Sequence, residues 1–104
     1  MNNAINVYII DDDSDVRDAL KLLMESVGLS VIAFPSAKDY LEQFDFNQSG
    51  CLIVDVRMPG MSGLELQAQL AAEKYHPPII IVTGHGDVPM AVKAVKAGAV
   101  DFIE

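Results

Sequence analysis

Cysteine and basic residues are scarce in this sequence. Cys51 is the only cysteine among 104 residues. No disulfide can therefore form within the chain, which fits a reducing compartment. We predict that Cys51 is a small buried hydrophobe in an apolar strand. Seven basic residues stand against fifteen acidic ones, for a formal net charge of −8. Because nucleic-acid binding needs clustered Lys and Arg, we expect no direct contact of this domain with DNA or RNA.

Long apolar runs and a signal-like N-terminus are also missing. The longest apolar runs, such as Ile79–Val82, are far too short to span a bilayer. Residues 1–4 contain no basic segment and no signal-like apolar stretch. We therefore expect a cytoplasmic protein without membrane contact. Hydrophobic residues make up 51% of the chain, enough for one domain with a real core over residues 1–104.

What is present is a regular alternation of strand-like and helix-like segments. Five runs are strand-like, and Val7–Ile10 lacks polar alternation, as is typical of a strand buried on both faces. These runs are Val7–Ile10, Ser30–Phe34, Cys51–Asp55, Ile79–Thr83 and Val100–Ile103. Strands that alternate with helices predict a parallel α/β sheet with helices on both faces. The small size favours the flavodoxin-like strand order 2-1-3-4-5.

Capping signals indicate where the helices begin and end. Ser14 is predicted to cap the first helix, which stops at Gly28. This helix carries apolar residues at helical spacing, namely Val16, Ala19, Leu20, Leu23 and Val27. Ser36 and Asp39 have capping-box spacing before the second helix. Pro89 suits the first turn of the last helix.

Two of the predicted strands end abruptly on acidic residues. The first runs into Asp11–Asp13 and the third ends at Asp55. In the order 2-1-3-4-5, strands 1 and 3 are neighbours, and ligands bind at the carboxyl ends of such strands. We therefore expect these four carboxylates to lie close together. Without a cation, their mutual repulsion should raise the pKa of at least one of them.

A divalent cation suits such a cluster. Mg²⁺ prefers oxygen ligands, takes one or two carboxylates and keeps several waters. It would leave Asp55 ionised, and carboxylates accept phosphoryl groups as aspartyl phosphates. Thr83 ends the fourth predicted strand and could place a hydroxyl near the phosphoryl oxygens. The sequence therefore predicts a Mg²⁺ site with Asp55 as a phosphoryl acceptor.

A calcium-binding loop is a different interpretation of the same acids. Asp11, Asp13 and Asp15 have the first three spacings of an EF-hand loop. The position that requires glycine holds Val16, and the position of the closing glutamate holds Leu22. The run also follows a predicted strand. These mismatches exclude an EF-hand.

Four motifs together resemble the receiver domain of two-component response regulators. They are Asp11-Asp12 after strand 1, Asp55 with residues 57–63, Thr83-Gly84, and residues 96–99. The resemblance covers essentially the whole chain, and residues 83–92 and 98–104 resemble the FixJ-type transcriptional regulators more narrowly. It implies a CheY-like fold with five parallel strands, and a role in signal transduction and transcription regulation.

The resemblance implies a role for each residue of the site. Asp55 would be the phosphoacceptor, modified by a sensor histidine kinase. Asp12, Asp55 and the backbone carbonyl of Arg57 would bind Mg²⁺ directly, with Mn²⁺ or Ca²⁺ able to substitute. Asp11 would act through a metal-bound water, and Asp13 would be auxiliary.

A switch mechanism is also implied by the resemblance. Thr83 would hydrogen-bond the phosphoryl group and move toward it, while Phe102 would turn inward as an aromatic switch. A surface formed by helix 4 and strand 5 would then pair two copies in a homodimer. The domain would catalyse only its own phosphorylation and would not be a turnover enzyme. His76 and His85 have no second ligand at metal spacing, so we interpret both as non-catalytic.

The sequence departs from the family pattern at its end. The family carries a Lys just after strand 5 and then a fifth helix, whereas this sequence stops at Glu104. We therefore expect a truncated receiver whose DNA-binding effector domain is absent, with impaired phosphorylation or switching. The missing helix should expose apolar surface on strands 1 and 5. Such a surface favours self-association, including by swapped elements.

Two competing functions use the same residues. Phosphatases and other hydrolases with an aspartyl nucleophile usually carry a second acid two residues beyond it. That position holds Arg57, which argues against a hydrolase. A pseudo-receiver that binds partners without phosphorylation stays open because the expected Lys is missing, although Asp12, Asp55 and Thr83 are present.

Overall fold

The computed structural model describes residues 6–43, 50–74, 77–83 and 87–103. Strands and helices alternate along these residues. The strands are β1 Asn6–Ile10, β2 Ser30–Phe34, β3 Gly50–Asp55, β4 Ile79–Val82 and β5 Asp101–Ile103. The helices are α1 Ser14–Ser26, α2 Ala37–Gln43, α3 Gly63–Ala72 and α4 Val88–Lys96. These helices are too short or too polar to span a bilayer.

The five strands form one parallel sheet in the order β2-β1-β3-β4-β5. The predicted architecture and strand order are therefore confirmed. Parallel neighbours need a crossover, and here a helix follows each of the first four strands. The order places β1 beside β3 at the centre of the sheet, with Ile10 paired to Val54. The residues that follow this pair therefore lie at one edge of the sheet.

The two faces of the sheet are covered unequally. One face carries the larger core, in which Tyr40 of α2 makes edge-to-face contacts with Tyr8 and Phe34 at centroid distances of 6.0 and 5.5 Å. The opposite face has a small buried cluster of Val7, Ile9 and Ile53. Because side chains alternate along a strand, β1 and β3 contribute buried residues to both clusters.

The first helix begins one residue away from its predicted cap. Asp13, and not Ser14, is the N-cap, and its Oδ1 accepts hydrogen bonds from the backbone N–H groups of Asp15 at 2.9 Å and Val16 at 3.4 Å. The prediction of Ser14 was wrong because three strong capping residues follow one another and spacing alone does not choose among them. The predicted stop is confirmed, since Gly28 adopts a φ of 89°.

The apolar surface lies partly where it was expected. Ile103 of β5 is 58% exposed, as predicted for strand 5. The same expectation for strand 1 was wrong, because Val7 and Ile9 are buried under the helix α1 residues Leu20 and Met24. The exposed apolar area lies instead on α1 itself, none of whose residues is buried. The helix rests on β1 and β2 along one side only.

Cys51 is only half-buried, which corrects the expectation of a buried thiol. It lies two positions before Ile53 in β3 and therefore on the thinly covered face. Partial burial raises the pKa of the thiol, which makes it less reactive than a free cysteine. The cysteine is therefore part of the fold and not of a reactive centre.

The remaining helices begin close to their predicted starts. Ser36 Oγ accepts from the N–H of Asp39 at 3.1 Å just before α2, as its spacing predicted. Pro89 lies in the first turn of α4, also as predicted. A complete capping box, in which Ser62 and Glu65 bond each other's backbone, begins α3 and was not identified from the sequence.

Candidate functional site

Carboxylates from two separate stretches of chain meet at the carboxyl edge of the sheet. Asp11 follows β1, Asp12 is next to it, and Asp55 is the last residue of β3. Ligand oxygens of these three residues all lie within 4.8 Å of one another. The predicted convergence of acids from strands 1 and 3 is therefore present in the structure. Asp13 stands apart in function, because its carboxylate caps α1.

The three carboxylates differ in their exposure to solvent. Asp11 is 3% exposed, Asp55 is half-buried and Asp12 is exposed. The cluster thus has a buried floor and an open side. A ligand or donor can approach from that side while the deeper carboxylate stays fixed.

Asp11 is held by local hydrogen bonds. Its Oδ1 accepts from the backbone N–H of Asp13 at 2.9 Å, and Arg17 Nη1 donates to its backbone carbonyl at 2.9 Å. Burial is the main cause that raises the pKa of Asp11, and the charges of Asp12 and Asp13 add to it. The hydrogen bond from Asp13 opposes this shift. Asp11 is therefore a carboxylate at the base of the site whose ionisation is disfavoured.

The pKa of Asp55 is shifted further than that of Asp11. Burial raises its pKa to about 6, with additional contributions from the negative charges of Asp11, Asp12 and Asp87. The N–H of Arg57 donates to Asp55 Oδ1 at 3.2 Å and opposes this rise. An acid with a pKa near 6 is still mostly ionised at neutral pH. The ionised form of Asp55 is therefore available at neutral pH, although burial and the neighbouring negative charges disfavour it.

The residues present fit a divalent cation. All three side chains offer carboxylate oxygens, which are the ligands that Mg²⁺ prefers. Burial is the main cause that raises the pKa values of Asp11 and Asp55, and repulsion from neighbouring acids adds to it. A cation between them would offset this repulsion. Arg57 lies two residues beyond Asp55, in the loop between β3 and α3.

Thr83 lies at the same edge of the sheet. Asp55 pairs with Val82, whose carbonyl accepts from the N–H of Val56 at 3.0 Å. Thr83 is the next residue, is 3% exposed, and donates its N–H to the carbonyl of Ile103 at 2.9 Å. The register thus brings its position beside the strand that carries Asp55.

Phe102 lies one strand further along the sheet. It pairs with Ile81 in the middle of β5 and is partly buried against the larger core. It is neither fully inside nor fully exposed. This intermediate position is compatible with the predicted inward turn.

Asp87 joins the site through Arg57 and was not identified from the sequence. Arg57 Nη2 and Nε lie 2.7 and 2.9 Å from Asp87 Oδ1, and Nη2 also donates to Met90 Sδ at 3.3 Å. This hydrogen bond is the main cause that raises the pKa of the Arg57 guanidinium. The contact links the loop after β3 to the start of α4. Its only sequence signal is an acid just before the proline of the last helix.

Some residues named in the sequence predictions lie outside the described residues. These are Gly84, His76, His85 and Glu104.

A family model for the response regulator receiver domain matches residues 7–104. The chain is 56% identical over 96 residues to the response regulator protein TodT of Pseudomonas putida, covering 92% of this chain and 42% of TodT. It is 49% identical over 104 residues to the transcriptional regulatory protein FixJ of Azorhizobium caulinodans, covering 100% of this chain and 49% of FixJ. The chain thus spans about half the length of these curated relatives.

Solved structures show the same similarity in three dimensions. The crystal structure of FixJ-N superposes with a TM-score of 0.89 at 47% identity, covering 100% of this chain and 82% of that one. The response regulator StyR superposes with a TM-score of 0.89 at 48% identity, covering 96% of this chain and 50% of that one.

Proposed function

The chain belongs to the response regulator receiver domain family, and we propose that it acts as a phosphorylation-dependent switch with Asp55 as the phosphoryl acceptor. The observation that carries the proposal is the convergence of Asp11, Asp12 and Asp55, whose ligand oxygens lie within 4.8 Å of one another. The donor would be a phosphohistidine of a sensor histidine kinase. The output would be the control of transcription through an effector domain, as in the relatives named as transcriptional regulators. A cytoplasmic location belongs to the same proposal.

The transfer exchanges one phosphorus bond for another. An ionised oxygen of Asp55 attacks phosphorus, the bond from phosphorus to the donor histidine nitrogen breaks, and the electron pair leaves with that nitrogen. The product is an acyl phosphate on Asp55. The reaction asks mainly for alignment and charge neutralisation. A half-buried carboxylate at the open side of the site can meet an incoming donor.

Residues of this chain orient the acceptor. The N–H of Arg57 restrains one oxygen of Asp55, and the buried Asp11 forms the base of the site. Asp12, Asp55 and the backbone carbonyl of Arg57 would bind Mg²⁺ directly, Asp11 would act through water, and the bound ion would supply the charge neutralisation. Mn²⁺ and Ca²⁺ have the same preference for oxygen ligands.

The phosphoryl group would change the structure through Thr83 and Phe102. A phosphorylated Asp55 carries more negative charge and more acceptor oxygens than the free carboxylate. We propose that the Thr83 hydroxyl turns toward these oxygens and that Phe102, partly buried on β5, moves into the space. The surface of α4 and β5 would then favour a homodimer.

Phosphorylation with a small donor tests the proposal. The protein is incubated with acetyl phosphate and Mg²⁺, and its intact mass is recorded. We expect the gain of one phosphoryl group, lost in Asp55→Asn and with EDTA. Asp18→Asn, which removes an exposed acid of α1, is the matched control and should be modified normally.

Three outcomes would contradict it. Modification of Asp55→Asn would place the acceptor elsewhere. A chain that stays unmodified, while Mg²⁺ still binds, would favour an interaction module that works without phosphorylation. Sustained release of phosphate from a simple ester would instead indicate a hydrolase.

A further inference from the structure

The carboxylate of Asp87 lies at the start of α4 but does not cap this helix. Asp87 is the N-cap residue of α4, and its side chain makes no capping hydrogen bond to the helix backbone. At the starts of α1 and α3, by contrast, the side chains of Asp13 and Ser62 accept from backbone N–H groups. Aspartate is among the best capping residues. The capping capacity of Asp87 is therefore unused in this structure.

The backbone of Asp87 also differs from that of the two capping residues. Asp13 and Ser62 are extended, with ψ of 114° and 168°, as is usual for a capping side chain. Asp87 has a ψ of 9° instead. Within the first turn of α4, Pro89 has no N–H, and Met90 donates its N–H to the Asp87 backbone carbonyl at 3.1 Å. The Met90 N–H is thus the donor that a capping carboxylate would take up.

Arg57 is the group that holds the Asp87 side chain. Its Nη2 and Nε lie 2.7 and 2.9 Å from Asp87 Oδ1, and Nη2 also donates to Met90 Sδ at 3.3 Å. The Arg57 side chain is 66% exposed. An ion pair with such an exposed member contributes little to stability, because water screens its charge. The guanidinium can therefore exchange one anion for another at small cost.

A stronger anion would form beside Arg57 if Asp55 were phosphorylated. The N–H of Arg57 already donates to Asp55 Oδ1 at 3.2 Å. The hydrogen bond to Asp87 is the main cause that raises the pKa of the guanidinium, and the charge of Asp55 adds to it. A phosphoryl group carries about two negative charges and several acceptor oxygens. Because guanidinium groups bind such oxygens through paired hydrogen bonds, a modified Asp55 would compete with Asp87 for Arg57.

We propose that Arg57 exchanges the Asp87 carboxylate for the phosphoryl oxygens when Asp55 is phosphorylated, and that the released Asp87 turns to cap α4. Because the trigger is the phosphoryl group, this exchange rests on the proposed role of Asp55. It would be a second connection between the acidic site and α4, separate from the one through Thr83 and Phe102. Before modification, the loop between β3 and α3 holds the residue that precedes α4. After modification, the helix is capped by its own N-cap residue and is released from that loop.

Substitution of Arg57 tests the competition without phosphorylation. Arg57→Gln removes the cation that holds Asp87, so Asp87 should cap α4 in the unmodified protein. Hydrogen exchange at the Met90 amide, followed by NMR, should then slow by roughly fivefold, the effect of a good N-cap. Lys21→Gln, at an exposed position of α1, removes the same charge and should leave this rate unchanged. An unchanged or faster rate in Arg57→Gln would overturn the exchange.

Two substitutions of Asp87 separate capping from ion pairing. Asp87→Ser keeps a capping side chain and loses the charge that pairs with Arg57, whereas Asp87→Ala loses both. Treatment with acetyl phosphate and Mg²⁺ should slow Met90 exchange in the parent. Exchange should be slow in Asp87→Ser and fast in Asp87→Ala, each both before and after treatment. If treatment slowed exchange equally in all three proteins, capping by Asp87 would be refuted.

The intact mass of each treated sample distinguishes failure of this exchange from failure of the proposed function. A parent that gains one phosphoryl group while its Met90 rate and its Arg57 Nε–H signal stay unchanged would refute the exchange alone. A parent that gains no mass would refute the role of Asp55 together with the exchange that depends on it. A mass gain with slower Met90 exchange and a shifted Arg57 signal is the expected result.

Discussion

At the scale of the residue, Asp55 shows how burial and charge prepare a carboxylate for chemistry. It ends a strand of apolar residues, so it cannot reach full solvation, and three other acids add to the field around it. These effects raise its pKa to about 6. Ionisation of Asp55 therefore destabilises the folded state. A bound cation, or protonation of the carboxylate, would remove this destabilisation. Both possibilities lead to measurable consequences.

The first prediction concerns the pH dependence of stability. Because the pKa of Asp55 is raised above its unfolded value of 3.8, its stabilising effect is complete below about pH 4. That effect is lost as the pH rises through about 6. Asp55→Asn cannot ionise, so we expect it to be more stable than the parent at about pH 7.5, by on the order of 1 kcal/mol after allowance for solvent exposure. Urea unfolding at both pH values measures the difference, which should vanish at the lower one.

At the scale of the element, close contacts decide how each helix is attached to the sheet. Asp13 caps α1 so that the helix begins directly after the acidic site. Gly63 begins α3 and donates its N–H to the Val56 carbonyl at 3.1 Å. Arg57, in the loop between β3 and α3, forms an ion pair with Asp87, which directly precedes α4. These contacts relate the position of Asp55 to three of the helices.

The second prediction tests the position of the α1 cap. Asp13→Ala removes the acceptor for the N–H groups of Asp15 and Val16, whereas Ser14→Ala leaves both bonds intact. We expect the first change to lower the free energy of unfolding by about 0.5–2 kcal/mol and the second to have little effect. Urea denaturation of the two variants measures this. A larger loss in Ser14→Ala would mean that the cap is Ser14.

The third prediction concerns Gly63. A Cβ at this position would lie 2.8 Å from the carbonyl oxygen of Asp55 and 3.1 Å from Val56 Cα. Both are backbone atoms, which cannot move aside without shifting β3 or α3. We expect Gly63→Ala to destabilise the fold by about 1–3 kcal/mol. It should also disturb the amide signals of Asp55, and an unchanged spectrum together with unchanged stability would contradict this reasoning.

At the scale of the whole molecule, a single site connects stretches of chain that are far apart in sequence. Asp11 and Asp12 follow β1 and Asp55 ends β3, and these strands are the centre of the sheet. With a formal net charge of −8, the domain already carries repulsion that favours expansion. A cation bound at this junction would oppose that repulsion where it is most concentrated.

The fourth prediction is that Mg²⁺ stabilises the entire fold. A ligand that binds only the folded state adds about 2.7 kcal/mol at a hundredfold excess over its dissociation constant. We expect the melting temperature to rise with Mg²⁺ at constant ionic strength. Asp12→Asn should weaken this rise, while Asp18→Asn on the exposed side of α1 should keep it. An equal rise in both variants would indicate nonspecific screening of charge.

Local pattern was sufficient for much of the fold and for the acids of the site. Apolar runs predicted the strands, most clearly β1, β3 and β4, because a parallel strand buried on both faces excludes polar residues. Abrupt endings on acid predicted that Asp11, Asp12, Asp13 and Asp55 would lie together, because parallel strands align their carboxyl ends. Three of them do, whereas the carboxylate of Asp13 caps α1. The cap of α1 was predicted one residue late, since Asp13 and Ser14 are both good caps and only the backbone geometry chooses between them.

Contacts between distant segments depended on the tertiary structure. Nothing in the sequence pairs Arg57 with Asp87, and nothing indicates that Gln67 reaches Ala94. The exposure of α1 was likewise not predicted, because the apolar spacing of the helix is the same whether or not another element covers it. The order of polar and apolar residues along the chain determined the elements and the chemistry at their ends. How closely the elements pack is a property of side chains that meet across the sheet, and no local pattern records it.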